Sequence, residues 1–427
     1  MKARGATHTH RPSALGITAT WLVGTIAYLV AITNRSSLSA LGLDTAQHFS
    51  IEPATLSLFA VIQLGVYGAA QIPVGMALDR YGSKAVLTVG TAMMATSALA
   101  LALAPTVWLA IAARVLLGAG DATVFPCVLR IIGIRFPRRL APMLVQITAV
   151  IGQLGQIISI VPFAQLVHDS GWRSGFLTLA ATTAITGVLA LAVVSDGHSA
   201  PRARPTSRSA SDTPAPPGLL LRLRESIAEP GTRLAFWTHF VTPFSANVFG
   251  VLWGYPFLVA GEGVAPGTAR TVLVATVVVA VVTGPVVGAL SARHVSQRVP
   301  MVLVISAAQL FAWAIVIALP GPAPTWLLFA LAVVVGIGGP ASVVAFDFAR
   351  DHNPVYRLST ATGIVNSGGF IASVGAILLI GITLDATSDQ PGVYDLASFR
   401  LAMFWQIPLW IFGMAMVVRE NRSLRAR

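Results

Sequence analysis

The sequence predicts an all-α membrane protein with twelve transmembrane helices in two pseudo-symmetric six-helix bundles. Three observations carry that expectation. Of 427 residues, 55% are hydrophobic and only 10% charged, against roughly 25% charged in an average soluble domain. Twelve apolar runs recur, at about 15–36, 54–77, 85–104, 107–131, 142–165, 173–194, 234–259, 270–291, 300–320, 325–347, 359–383 and 399–418. Each is long enough to cross a hydrocarbon core of about 30 Å as a helix, which satisfies its own backbone there. Between the sixth and seventh runs lies SDGHSAPRARPTSRSASDTPAPPG, a Ser-, Pro- and Arg-rich stretch unable to bury a core. It divides the chain into a bundle at 1–194, a cytoplasmic linker at 195–232 and a second bundle at 233–427.

Taken in order, the basic N-terminus MKARGATHTHRPS leads into a run too long for a signal-peptide core, so it is read as an uncleaved first span. The net charge of +12 calls for no nucleic-acid partner, because the basic residues fall between apolar runs and chiefly on one side. With an even span count both termini share a side, whose loops hold 23 of the 28 Lys and Arg residues. Only Arg35, Arg173, Arg270 and Arg400 fall opposite, and Arg114 lies within a span. The chain is therefore expected in the plasma membrane with cytoplasmic termini. Leu219 to Glu229 (LLLRLRESIAE) reads either as a short amphipathic surface helix or as more linker. The single cysteine, Cys127, permits no disulfide framework and no thiolate cluster. No metal or cofactor is expected, and the chain is expected to work in the bilayer as a monomer.

The most informative turn is Pro73 to Lys84, PVGMALDRYGSK, which joins the second and third runs. Gly75 and Gly82 allow a tight turn with helices in close contact, and Asp79, Arg80 and Lys84 form a charge cluster at the water boundary. A shift of 213 residues sets Gly75 on Gly288 and Arg80 on Arg293, so GALSARHVSQR is a worn copy of this turn with Ala292 in place of the acid. The same shift relates Asn34 to Asn247 and Gln153 to Asn366. These amides either line a shared site or join helices.

Ionisable groups inside a bilayer cost several kcal/mol unless paired or facing water, so they are functional candidates. Arg114 and Asp121 stand seven apart in the fourth run, on one helix face about 10 Å apart, and are expected either to face a central cavity or to form a structural ion pair with a neighbouring span. Arg35, at the outer end of the first run, reads either as a cavity residue or as an interfacial anchor. His239 reads either as a proton carrier near neutral pH or as a hydrogen-bonded structural histidine near the cytoplasmic interface. Asp347 to Asp351 (DFARD) reads either as a cytoplasmic salt-bridge knot serving as a C-terminal gate or as a solvated charged loop.

The pattern Gly75, Asp79-Arg80, Gly82, Lys84 resembles the signature between the second and third spans of the major facilitator superfamily of secondary transporters. The resemblance implies that Asp79 latches a gate, held by a helix N-terminus and by a basic residue of a neighbouring span. Asn34-Arg35 with Arg114, Gly118 and Asp121 resembles the superfamily's anion:cation symporter branch, though Asn34 and Asp121 stand where that branch has an acidic residue and a Glu. This implies that Arg35 and Arg114 hold an anionic small solute and that Asp121 takes the coupling proton. The expected function is proton-coupled symport of a small anion by alternating access between the two halves. A proton-coupled efflux antiporter for drugs or metabolites is the alternative. ATP use is not expected, as no G-x-x-x-x-G-K-[ST] loop occurs. The remotest reading is an intramembrane aspartyl protease, since Gly118-Ala119-Gly120-Asp121 and Tyr394-Asp395 resemble its two half-signatures in reversed order.

Overall fold

A computed structural model of the chain describes residues 14–41, 45, 48–49, 53–195, 218–387 and 394–426. The basic segment at 1–13 and the body of the linker at 196–217 lie outside the described residues. Those residues contain no strand. The longer helices are α1 (Ala14–Ala40), α2 (Pro53–Ala102), α3 (Val107–Arg135), α4 (Ala141–Ile158), α5 (Trp172–Val193), α6 (Leu219–Ala228), α7 (Pro230–Val241), α8 (Pro266–Arg293), α9 (Arg298–Ala318), α10 (Thr325–Gly336), α11 (Gly338–His352), α12 (Leu358–Thr387), α13 (Leu396–Met403) and α14 (Gln406–Arg425).

Among the described residues, eleven helical stretches are long and apolar enough to cross a membrane. The sequence expects twelve, and the difference lies in α2. Its candidate span Val61–Ala102 has 42 residues, a length of roughly 63 Å if straight, about twice a hydrocarbon core. The helix is interrupted at Gly82, whose φ of 83° and ψ of 173° suit a residue without a Cβ. That break falls inside the turn expected between the second and third runs. Proline accounts for other irregularities. After α4 a π-helical turn, Ser159–Phe163, contains Pro162, and beyond α7 the helix is re-formed in short pieces around Pro243 and Pro256. A proline removes one backbone donor and crowds the preceding turn.

Helix α6 forms, which settles the two readings of that segment in favour of a helix. It lies against the turn, since Arg222 Nη1 donates to the carbonyl oxygens of Asp79 and Tyr356, both at 3.4 Å.

Shape fit between the N-terminal half (to residue 195) and the C-terminal half (from 218) rests on small residues. A Cβ at Gly75 would stand 2.4 Å from the Ser359 carbonyl oxygen, and one at Gly363 2.3 Å from that of Gln71. The 213-residue shift carries these contacts onto a second set. A Cβ at Gly288 would meet Gln146 Cγ at 2.8 Å, and one at Gly284 would meet Gln146 Oε1 and Val150 Cγ2, each at 3.3 Å. Thus α2 meets α12 as α8 meets α4, and backbones approach closely at glycine. Large side chains fill the rest, with Phe244, Phe257, Trp313, Phe399 and Trp410 fully buried in the C-terminal half and Leu78, Leu87 and Met94 in the N-terminal half. Cys127 is also buried.

The acidic segment of α11 does form a knot. Asp347 Oδ1 lies 3.0 Å from Arg350 Nη2, Asp351 Oδ2 2.7 Å from Arg298 Nη1, and Ser291 Oγ donates to Asp347 Oδ2 at 2.5 Å. All these groups belong to the C-terminal half. The ion pairs brace that half internally rather than joining it to the other.

Candidate central cavity and latch

A cavity of about 200 Å³ lies between the two halves. Its lining comes from eight apolar runs: the expected first, fourth, fifth, seventh, tenth and eleventh, plus the second and eighth. Each helix offers one stripe. Gln146, Val150 and Gln153 recur at i, i+4 and i+7 on α4, and His239, Pro243 and Asn247 recur every fourth residue along α7 and its continuation. Helical geometry places such positions on one face. Aromatic side chains from both halves, Tyr28, Tyr67, Phe125, Phe346 and Phe370, supply much of the remaining wall.

Arg35 lines this cavity, so it is no interfacial anchor. Its guanidinium grips Asp121 with two bonds, Nε to Oδ2 at 2.7 Å and Nη2 to Oδ1 at 3.0 Å. It also stacks over the Tyr67 ring at 4.6 Å. The Arg35 side chain is 26% exposed while that of Asp121 is fully covered. Two parallel charge-assisted bonds form the strong, planar arrangement that arginine favours.

Two expectations need correction. Asp121 does not line the cavity itself, because Arg35 stands between it and the open space. Arg114 does not line it either; it is 1% exposed and donates backwards to the Asn34 carbonyl oxygen at 3.2 Å and the Ser37 hydroxyl at 3.4 Å. The physical reason is that α3 is buried on most of its circumference, so sharing a face did not mean facing the cavity. Asn34 is likewise turned away. Its amide donates to the Val30 carbonyl at 2.9 Å and to Thr183 Oγ1 on α5 at 2.9 Å.

Gln153, Asn247 and Asn366 do line the cavity. Asn247 donates to Ser373 Oγ at 2.8 Å. Asn366 Nδ2 donates to Gln71 Oε1 at 2.6 Å, and its Oδ1 lies 2.9 Å from His239 Nε2. With the amide so oriented, His239 donates through Nε2, and a polar chain runs from α7 through α12 to α2. Among the described residues, the Nδ1 of His239 has no hydrogen-bond partner. Through Nε2 His239 is hydrogen-bonded, as expected, and it also lines the cavity. Sequence reasoning also missed Tyr67, Gln71 and Gln146. Gln146 bridges the halves by donating to the Pro340 carbonyl at 2.9 Å. One available signal was its position seven residues before Gln153 in an otherwise apolar run.

Around Asp79 the structure builds a second site at the end of the molecule where the linker enters. The Asp79 side chain is fully covered. Its Oδ1 accepts from Arg130 Nη1 at 2.9 Å and from the Ser359 backbone N–H at 3.0 Å, and its Oδ2 accepts from Thr360 N–H and Oγ1, both at 2.7 Å. Ser359 and Thr360 lie in the first turn of α12, where backbone N–H groups lack intrahelical partners and carry the positive end of the dipole. A carboxylate of the N-terminal half thus caps a helix of the C-terminal half, with Arg130 of α3 completing the arrangement. Arg80 is exposed, with its guanidinium 5.1 Å from the centre of the Tyr81 ring. Gly82 makes the break already described, Gly75 the close approach, and Lys84 is half-buried after the break.

The protease-like residues serve helix packing and capping. A Cβ at Gly118 or Gly120 would stand 2.7 Å from the carbonyl oxygens of Gln63 or Gly90, so this motif seats α3 on α2. Asp395 caps α13 by accepting from the Ser398 N–H at 2.8 Å. That bond holds its exposed carboxyl below the usual carboxylate range.

No curated protein matches this chain significantly. The family model described as Major Facilitator Superfamily matches residues 24–376, which takes in the Asp79 latch, the Arg35–Asp121 pair and every residue that lines the central cavity. With most of its length matched, this multi-pass membrane protein belongs to the Major Facilitator Superfamily, whose members are secondary transporters of small solutes.

Proposed function

We propose that the chain moves a small organic anion together with a proton by alternating access, as twelve spans in two six-helix bundles acting as a single chain in the plasma membrane. The observation that carries this reading is the Arg35–Asp121 pair at the cavity wall. While Asp121 is ionised, both forks of Arg35 are occupied. A proton on Asp121 removes the charge that holds the guanidinium, and Arg35 becomes available to a carboxylate entering the cavity. Release of the solute lets the pair close again and expels the proton. One anion thus travels with one proton and the step is electrically neutral. Arg114 contributes from behind as a fixed positive charge rather than as a contact. Asn366, Asn247, Gln153 and His239 offer hydrogen bonds to the rest of the solute. Asp79, Arg80, Gly82, Lys84 and Gly75 make up the gating turn, with Asp79 and Gly75 as its working parts and the termini on the cytoplasmic side.

Affinity for the anion should rise as pH falls, because the protonated carboxyl is the form that frees Arg35. The test is a thermal-shift and binding screen of purified protein against monocarboxylates and quaternary ammonium compounds at pH 5.5 and 7.5, about one unit either side of the ordinary histidine pKa of about 6.5. Arg35→Gln should weaken carboxylate binding by roughly 10- to 100-fold, the worth of charge-assisted bonds at about 1.5–3 kcal/mol. Asp121→Asn should remove the pH dependence. Unchanged carboxylate affinity in Arg35→Gln would sink this reading. The five aromatic walls favour a second reading, proton-coupled efflux of a lipophilic cation. In that case quaternary ammonium compounds bind, more tightly at the higher pH, and Asp121→Asn abolishes their binding.

A further inference from the structure

A second cavity, of about 620 Å³, opens at the linker end of the molecule away from the central one, lined by Arg138, Arg139, Ala292, Val295, Arg298, Arg350, Asp351, His352, Asn421, Leu424 and Arg425 among others. Its volume is within the range of ligand pockets. The charges separate into two groups. Arg298 and Arg350 form the floor and are matched by Asp351 and Asp347 at 2.7 and 3.0 Å. Arg138, Arg139 and Arg425 form the rim, and among the described residues their side chains have no ion-pair partner. Three positive charges are therefore left facing one hollow. Arg138 and Arg139 come from the loop after α3 in the N-terminal half, and the rest of the lining comes from the C-terminal half.

Ala292 gives the pocket its meaning. It occupies the place in the copied turn where the first turn has Asp79, so on this flank the chain supplies no carboxylate between the halves. We propose that the phosphate of an anionic phospholipid headgroup binds here and supplies the missing negative charge, joining Arg138 and Arg139 to Arg425 and Asn421. Basic pockets between helices at a membrane surface bind such headgroups. A lipid rather than a soluble phosphate is favoured by what surrounds the rim. Val295 in the lining is 56% exposed, and Leu140, next to Arg139 in sequence, and Leu290, two residues before Ala292, are 50% and 44% exposed, apolar surface on which acyl chains can lie. The bound lipid holds the halves together at this end as Asp79 does on the other flank.

The test uses the purified full-length protein in a neutral detergent, titrated with short-chain phosphatidylglycerol, phosphatidylcholine or inorganic phosphate while thermal unfolding is followed. Phosphatidylglycerol should raise Tm and phosphatidylcholine should not. Arg138→Gln with Arg139→Gln, both in an exposed turn, should weaken the response roughly 30-fold, as expected for two basic residues at a membrane surface. Arg425→Gln should weaken it independently, and Ala292→Asp should remove it by filling the site from within the chain. Arg419→Gln with Arg422→Gln, on the same α14 but outside the pocket, should respond as wild type. An undiminished response in both the loop double variant and Arg425→Gln, or an equal response to phosphatidylcholine, would overturn the site. An equal response to inorganic phosphate would overturn the lipid as its source. None of these outcomes depends on Arg35, so the transport reading stands or falls separately.

Discussion

The two turns related by the 213-residue shift share a backbone contact but differ in chemistry. Gly75 seats α2 on α12 and Gly288 seats α8 on α4, yet only the first turn carries an ionic latch. Every partner of Asp79 is altered in the copy, where Val343 stands for Arg130 and Ile147 for Thr360. The free N–H groups are missing as well. Ser359 and Thr360 lie in the first turn of α12, whereas Gln146 and Ile147 lie more than a turn inside α4, which begins at Ala141. N–H groups at that depth already have intrahelical acceptors. An acid at position 292 would find no helix end to cap, so the latch is present or absent as a unit. One flank between the halves is therefore held by charge, and the other by packing alone within the chain.

The largest effect on this contrast should come from Asp79→Ala. It leaves Arg130 buried without its counter-charge and two first-turn N–H groups uncapped, and breaking a buried pair this way costs about 3–5 kcal/mol. The closed linker-side arrangement should lose more than about 100-fold in population relative to the open one. Spin labels at Tyr81→Cys and Val355→Cys, exposed positions on the two halves, in a Cys127→Ala background, should then report a longer distance population. An unchanged distribution would reject the latch role. Gly75→Ala should come next, because its Cβ would meet a backbone oxygen at 2.4 Å and no side chain can swing aside. Overpacking of this kind costs about 1–3 kcal/mol, about 2 kcal/mol less than the latch, so the same label pair should show a shift toward the longer population roughly 30-fold smaller than that of Asp79→Ala.

What the sequence reveals follows from how locally each feature is encoded. The helices are legible because a bilayer demands long apolar runs. The latch is legible because turn residues and charge fall in one short stretch. The central site is legible only in part. Arg35, Gln153, Asn247 and Asn366 reach the cavity, but Arg114 does not, although its spacing from Asp121 is the regular one for a shared face. In α3, Leu117, Ala122, Val124 and Val128 are buried as completely as Arg114, so no side of that helix is marked as the wet one. Which neighbour claims a buried charge is decided by tertiary packing; here Arg35, 86 residues away in sequence, claims Asp121. Tyr67 and Gln71 escaped notice for a related reason. An aromatic or amide in an apolar run carries no local sign of what lies across the gap, and both find partners on α12 in the opposite half.

Gly288→Ala should have the smallest effect, and its size sharpens the contrast between the flanks. Its Cβ would meet Gln146 Cγ at 2.8 Å, with the Pro142 carbonyl oxygen farther off at 3.2 Å. The nearer atom belongs to a flexible side chain, which can turn aside at the expense of the Gln146–Pro340 hydrogen bond. That bond is worth about 1 kcal/mol, so the same labels should register a shift of roughly fivefold. Because the two flanks share no partner, Asp79→Ala combined with Gly288→Ala should give the sum of the single effects to within about 0.5 kcal/mol. A Gly288→Ala effect as large as that of Gly75→Ala would show that the copy carries as much of the closure as the original. Strong non-additivity would show that the two flanks act as one gate rather than as a charged latch and a packed seam.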